Sequence, residues 1–115
     1  MKDTYKLNNG TTVYVTPETF ETHAVEFEAI SDYLFKHCRN LHSLDFSDVS
    51  AGGIQVGGVH EYNPGYIMMH RTIKYDWSNI NEVIRDFVKS WNEFMEEDVA
   101  AFKRFTDDGE KYGWD

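Results

Sequence analysis

The sequence predicts an α+β fold in the order ββαββα, an antiparallel sheet of about four strands with two amphipathic helices packed on one face. Three observations carry that expectation. Asn9-Gly10 lies between two short β-prone runs, and Pro64-Gly65 breaks a second β-rich stretch, as two hairpins require. Apolar residues recur at steps of three and four from Phe20 to Leu41, and again from Ile80 to Phe105. The chain has 115 residues, enough for one core, so a single domain is expected over 1–115.

Residues 1–16 read as the first hairpin. Thr4-Tyr5-Lys6-Leu7 and Thr12-Val13-Tyr14-Val15 flank the turn, and Asn9-Gly10 is the pair that a type I′ turn prefers at its two positive-φ positions. That register places Tyr5, Leu7, Thr12 and Tyr14 on one face and Lys6, Val13 and Val15 on the other. Residues 17–41 read as a helix, with Thr16 as N-cap, Pro17 at the first helical position and Glu18 in the first turn. Its buried stripe is Phe20, Ala24, Phe27, Ile30, Leu34, Cys38 and Leu41.

Residues 42–52 show no period and read as a connector. Residues 53–75 form the second hairpin, in which Gly57-Gly58 marks a bulge or a close backbone approach. The loop at Pro64-Gly65 fits either a two-residue or a four-residue turn, which leaves the register open. Residues 76–106 form the last helix, with Asp76 or Ser78 as N-cap. Its stripe is Ile80, Ile84, Phe87, Val88, Trp91, Phe94, Met95, Phe102 and Phe105. Asp98 falls inside that apolar sector and predicts a kink near 98, or the cap of a second short helix. An aromatic tail fills 107–115.

Charge narrows the function classes. Lys and Arg total 11 against 20 Asp and Glu, for a net charge of −9. Acids outnumber bases 8 to 4 over residues 1–50 and 11 to 5 over 76–115, whereas 51–75 holds 1 acid and 2 bases. The acidity therefore resides in the helical parts. Such a chain repels phosphate backbones and anionic membranes, so neither direct nucleic-acid binding nor membrane binding is expected. No apolar run approaches the roughly 20 residues of a membrane span. The N-terminus lacks the apolar core of a secretion signal, and Cys38 is the only cysteine, so a reducing, cytoplasmic setting is expected.

The acidic helix faces are the first candidate site. Glu18, Glu21, Glu28 and Asp32 fall on one stripe beside the apolar face of the first helix, and no Lys or Arg appears from Pro17 until Lys36. On the last helix Glu82, Asp86, Glu93 and Glu97 share the solvent side, with Glu96 beside them. Like-signed i,i+4 pairs such as Glu82/Asp86 and Glu93/Glu97 cost an isolated helix roughly 0.2–0.5 kcal/mol each. Tolerated repulsion of this kind points to a useful negative surface. The plainer explanation is a solvated face that confers solubility.

The aromatic side chains Tyr62, Tyr66, Tyr112 and Trp114 are the second candidate, because Tyr and Trp anchor interfaces. The tail aromatics serve equally well as a cap on the core. The third candidate is the one basic stretch, where Gly57, Gly58, His60, His70 and Arg71 would meet a small anionic ligand through freed amides and cations. His60 and His70 on adjacent strands would supply two metal ligands, but a site needs three or four, so polar residues on an exposed face are the simpler reading. No metal and no cofactor is expected.

Cys38 lies on the apolar stripe and reads as a small buried hydrophobe, not an activated thiol. No nucleophile–base pairing or phosphate-binding glycine loop is visible, so no catalytic residue is assigned. The function expected is that of a non-enzymatic acidic protein that occludes a basic, nucleic-acid-handling protein such as a nuclease. Inhibitors of bacterial defence systems of the anti-CRISPR kind and toxin-immunity proteins exemplify that class, by analogy of class alone. The alternative expectation is a small-ligand or nucleotide-sequestering protein, oligomeric in its simplest form. Open sheet edges and surplus aromatics also make a homodimer an expected assembly.

Overall fold

The computed structural model describes residues 3–47, 53–62 and 65–96. It is an α+β fold with five strands and two helices: β1 (Asp3–Lys6), β2 (Thr12–Val15), α1 (Pro17–His37), β3 (Leu41–Phe46), β4 (Gly53–Tyr62), β5 (Gly65–Lys74) and α2 (Ile80–Glu96). The strands run in the order β1-β2-β3-β4-β5 across one sheet. The expected four-stranded antiparallel sheet is corrected in two ways. Part of the supposed connector 42–52 is strand β3, and β2 pairs with β3 in parallel, through Thr12↔Asp45 and Val13↔Phe46. A parallel neighbour needs a crossover, and α1 is that crossover.

The first hairpin also adopts a different register. Only Gly10 has positive φ in the turn (+88°), so the two positive-φ residues of a type I′ turn are absent. Instead Leu7 O accepts from Gly10 N at 3.0 Å and Leu7 N donates to Thr11 O at 2.9 Å, a three-residue loop closed by a left-handed glycine. Lys6 then pairs with Thr12 and Tyr5 with Val13. The one-residue difference turns Val13 and Val15 into the core with Tyr5, and leaves Thr12 and Tyr14 on the other face. Burying two valines in place of a threonine and a tyrosine is the physical reason this register wins.

α1 begins as its sequence indicates: Thr16 Oγ1 accepts from Thr19 N at 3.3 Å, and Pro17 follows the cap. It ends at His37, earlier than the apolar stripe implies, because Asn40 adopts a left-handed conformation (φ +56°) and Leu41 opens β3. β4 and β5 pair continuously from Gly53↔Lys74 to Tyr62↔Gly65, which leaves two residues between them. The irregularity at Gly57-Gly58 is in the pairing with β3, and Gly58 also meets the Asn40 backbone and Trp91 closely. The register shift lies on the β3 side, between Leu41 and Ser43. Before α2, Asp76 Oδ1 accepts from Ser78 N (3.0 Å) and Asn79 N (3.1 Å) and also bonds Ser78 Oγ, while Asn79 O takes the first helical bond from Val83 N. The expected kink near 98 and the tail 107–115 lie outside the described residues.

Both helices cover the same face of the sheet. Phe27 of α1 meets Phe46 of β3 edge-on at 5.0 Å, and the Trp91 indole of α2 lies over Gly58 of β4. The core between the layers includes Val13, Phe27, Leu34, Phe46, Ile54, Ile73, Phe87 and Trp91, each fully buried. The other sheet face carries Lys6, Tyr14, Ser43, Gln55, His70 and Lys74, all exposed. No helix among the described residues is long and apolar enough to cross a membrane.

Candidate functional site

α1 is the better-defined of the two acidic elements. At about 100° per residue, its buried residues Phe27, Ile30, Ser31 and Leu34 define one side. Glu18, Glu21 and Asp32 are exposed beyond that side and Glu28 is half-buried. Among the described residues, no Lys or Arg pairs with these four acids or with Glu93. His23 Nδ1 lies 3.2 Å from Glu26 Oε1, on the other flank of α1. Asp32 is held in place without being neutralised: Asn9 Nδ2 donates to its Oδ1 at 2.7 Å and to Ser31 Oγ at 2.6 Å. Asn9 Oδ1 in turn accepts from Thr11 N at 3.0 Å, so one side chain ties the hairpin turn to the acidic flank.

The acids of α1 and α2 do not form one surface. Ala29, Ile30 and Tyr33 of α1 and Asn81, Ile84 and Arg85 of α2 line a groove of about 200 Å³ between the helices. These residues are the sides that the helices turn toward each other. Helical spacing puts Glu21, Glu28 and Asp32 on the flank of α1 away from α2, and Glu82 and Glu93 beyond Arg85 and Lys89 on α2. A mixed strip therefore separates the two negative flanks, with Ala29, Ile30, Tyr33 and Ile84 beside the charged Glu26 and Arg85. Its most exposed member is Val25, at 83%. Val25, Ala29 and Tyr33 were absent from the sequence-derived candidates. The available signal was a β-branched residue off the buried stripe and surrounded by Glu21, Glu26 and Glu28.

The remaining candidates separate. Gly57 and His70 are opposite each other on the open sheet face, beside a shallow polar hollow of about 540 Å³ shared with Ser43, Asp45, Gln55 and Thr72. Gly58 and His60 lie on the helix-covered face instead. His60 is buried with its ring 4.8 Å from that of Phe94, and it pairs with Ile67, not His70. The two histidines therefore lie on opposite faces, because their pairing partners differ in parity. Arg71 pairs with Val56, but its Nη1 donates to His70 O at 2.8 Å and the residue lines the same hollow as Gly57 and His70. Of the ligand set, Gly57, His70 and Arg71 therefore line one hollow, while Gly58 and His60 lie on the other side of the sheet.

Tyr62 and Tyr66 end β4 and follow the start of β5, but their side chains lie outside the described residues, as does that of Glu96. Glu97, Tyr112 and Trp114 lie outside them altogether. Cys38 is buried, and burial pushes its thiol up from 9.0 to about 12, so it stays protonated at neutral pH. Among the described residues no three His, Cys, Asp or Glu side chains group at metal-binding distance. No protein-family model matches this sequence, and no curated protein or solved structure matches it either.

Proposed function

We propose that this chain is a non-enzymatic binding protein that docks an acidic helix face on a basic, nucleic-acid-handling protein and blocks it by charge and bulk. A cytoplasmic inhibitor of a bacterial defence nuclease, in the manner of an anti-CRISPR, or a toxin-immunity protein fits this description. The observation that supports it is the α1 flank: Glu18, Glu21 and Asp32 are exposed on a capped helix and unpaired with any described Lys or Arg. Carboxylates fixed on a rigid rod lose little freedom on pairing and speed encounter with a cationic surface.

The test is charge reversal. Replacing Glu18, Glu21 and Asp32 together with Lys should slow association with a basic nuclease target and flatten its dependence on ionic strength. Equivalent reversal at Glu82 and Glu93 separates the two helices. If neither triple nor double reversal changes association, electrostatic occlusion is wrong. The alternative of nucleotide sequestration retains the open-face hollow lined by Gly57, His70 and Arg71, where the Asp45 carboxylate opposes an anion. A thermal shift produced by a nucleotide, without a protein target, would favour it.

A further inference from the structure

Between its two negative flanks the helical layer presents apolar surface with a definite geometry. Val25, Ala29 and Tyr33 follow each other at four-residue steps along α1, and all three are exposed. Scattered exposed apolar residues are ordinary, but a four-residue row on a helix is a ridge of the kind that packs against another helix. Beside the ridge runs the inter-helix groove, floored by the buried side chains of Ile30 and Ile84 and walled by Tyr33 and Arg85. At about 200 Å³ it is smaller than the roughly 300–1,000 Å³ of small-molecule pockets. Its size suits a protein side chain better than a free ligand.

We infer that this ridge and groove seat an amphipathic, basic helix of the partner protein, with one aliphatic side chain entering between Ile30 and Ile84 and Lys or Arg side chains reaching Glu21 and Asp32. This rests on the reading that the acidic α1 flank meets a basic partner, and adds where the guest lies and what fills the groove. The charge pattern selects the occupant. A second copy related by a two-fold axis across the ridge would bring the Glu21–Asp32 flanks against each other, like charge on like, whereas a two-fold along the ridge would set each flank against Arg85 of the other copy. A dimer in sedimentation at the titration concentrations would therefore overturn the guest helix in favour of that self-association. An anionic lipid surface meets the same repulsion.

The opposite wall supplies polarity. Arg85 is exposed and makes no hydrogen bond or ion pair among the described residues. A guest helix thus finds carboxylates on one side and a guanidinium on the other, which fixes both the rotation of its apolar face and its direction. Such helix-in-groove recognition is read out as anchors one turn apart.

The experiment titrates the full-length, nitrogen-15-labelled protein with three synthetic peptides of about four helical turns. The first has a Leu/Phe stripe flanked by Lys and Arg, the second is the same composition scrambled to destroy the stripe, and the third keeps the stripe but replaces the bases with Glu. The seat requires the first peptide to shift amides of 25–33 and 80–85, and to lose at least about tenfold in affinity against Val25→Glu or Ala29→Glu, about 1.4 kcal/mol. Both substituted positions are exposed, so the variants retain the fold. Glu21→Lys with Asp32→Lys should weaken binding similarly, and Glu82→Lys should not. If the scrambled peptide binds as well, or Val25→Glu has no effect, the seat is overturned while the acidic-face reading stands. If the third peptide binds like the first and Glu21→Lys with Asp32→Lys changes nothing, the acidic-face reading falls instead.

Discussion

Adjacent glycines in β4 do different things because their missing side chains face different neighbours. A Cβ on Gly58 would lie 2.5 Å from the Asn40 carbonyl and 2.5 Å from Trp91 Cζ2, a backbone atom and a fully buried indole. Trp91 has no room to retreat, since its Nε1 donates to Arg39 O at 2.7 Å. A Cβ on Gly57 would meet chiefly Ser43 Oγ, the end of an exposed side chain free to rotate. Gly58→Ala should therefore destabilise by about 1–3 kcal/mol and Gly57→Ala by much less, read as a shift in denaturation midpoint at constant slope. Asn92 belongs to the same corner: its Oδ1 accepts from Arg39 N at 3.0 Å and its Nδ2 donates to His37 O at 2.8 Å. Asn92→Ala should cost about 1–2 kcal/mol by the same assay. Cys38, between the two residues that Asn92 clasps, holds its proton more tightly folded than unfolded. Its contribution is complete below pH 9.0 and fades as pH rises toward about 12. Tyr75, raised above 10.0 by burial and then by the Glu26 charge, acts in the same direction. Stability should fall across that alkaline window, less steeply in Cys38→Ala, and thiol reagents should label Cys38 only as fast as the protein opens.

At the scale of elements, local chemistry was legible and partnership was not. Thr16-Pro17-Glu18 specifies the start of α1, and the 3.6-residue stripes place Phe27, Leu34, Phe87 and Trp91 in the core without any knowledge of the sheet. β3 was hidden because Leu41–Phe46, LHSLDF, buries only Leu44 and Phe46, too few alternations to stand out from a loop. The parallel pairing with β2 has no local signature at all, since it depends on α1 delivering β3 alongside β2. The hairpin turn misled for a chemical reason: Asn9 serves a tertiary role, its amide reaching Ser31 and Asp32, while Gly10 alone takes the unusual backbone conformation. Asn9→Ala should thus cost about 1–2 kcal/mol. Asn9→Asp should cost more at neutral pH and recover on acidification, because it sets a second carboxylate against Asp32. A denaturation series across pH distinguishes the two. For the site, the acidic flank was legible from composition, whereas the ridge of Val25, Ala29 and Tyr33 emerged only when the groove showed which side of α1 faces α2.

Across the whole molecule, a net charge of −9 sets acidic side chains against one another. Added salt should raise the melting temperature, and Glu21→Gln should raise it at low salt and do little at high salt. A melting temperature that falls with salt would mean that attractive pairs dominate instead. The sheet is also unevenly joined. β4 and β5 are paired along their full length, whereas β2 meets β3 only through Thr12 and Val13 against Asp45 and Phe46. The seam between β2 and β3 is therefore the place where the molecule can come apart in stages. Backbone amides of β1 and β2 should trade hydrogen for deuterium through a partial opening that spares β4 and β5, whose amides wait for the entire chain to unfold.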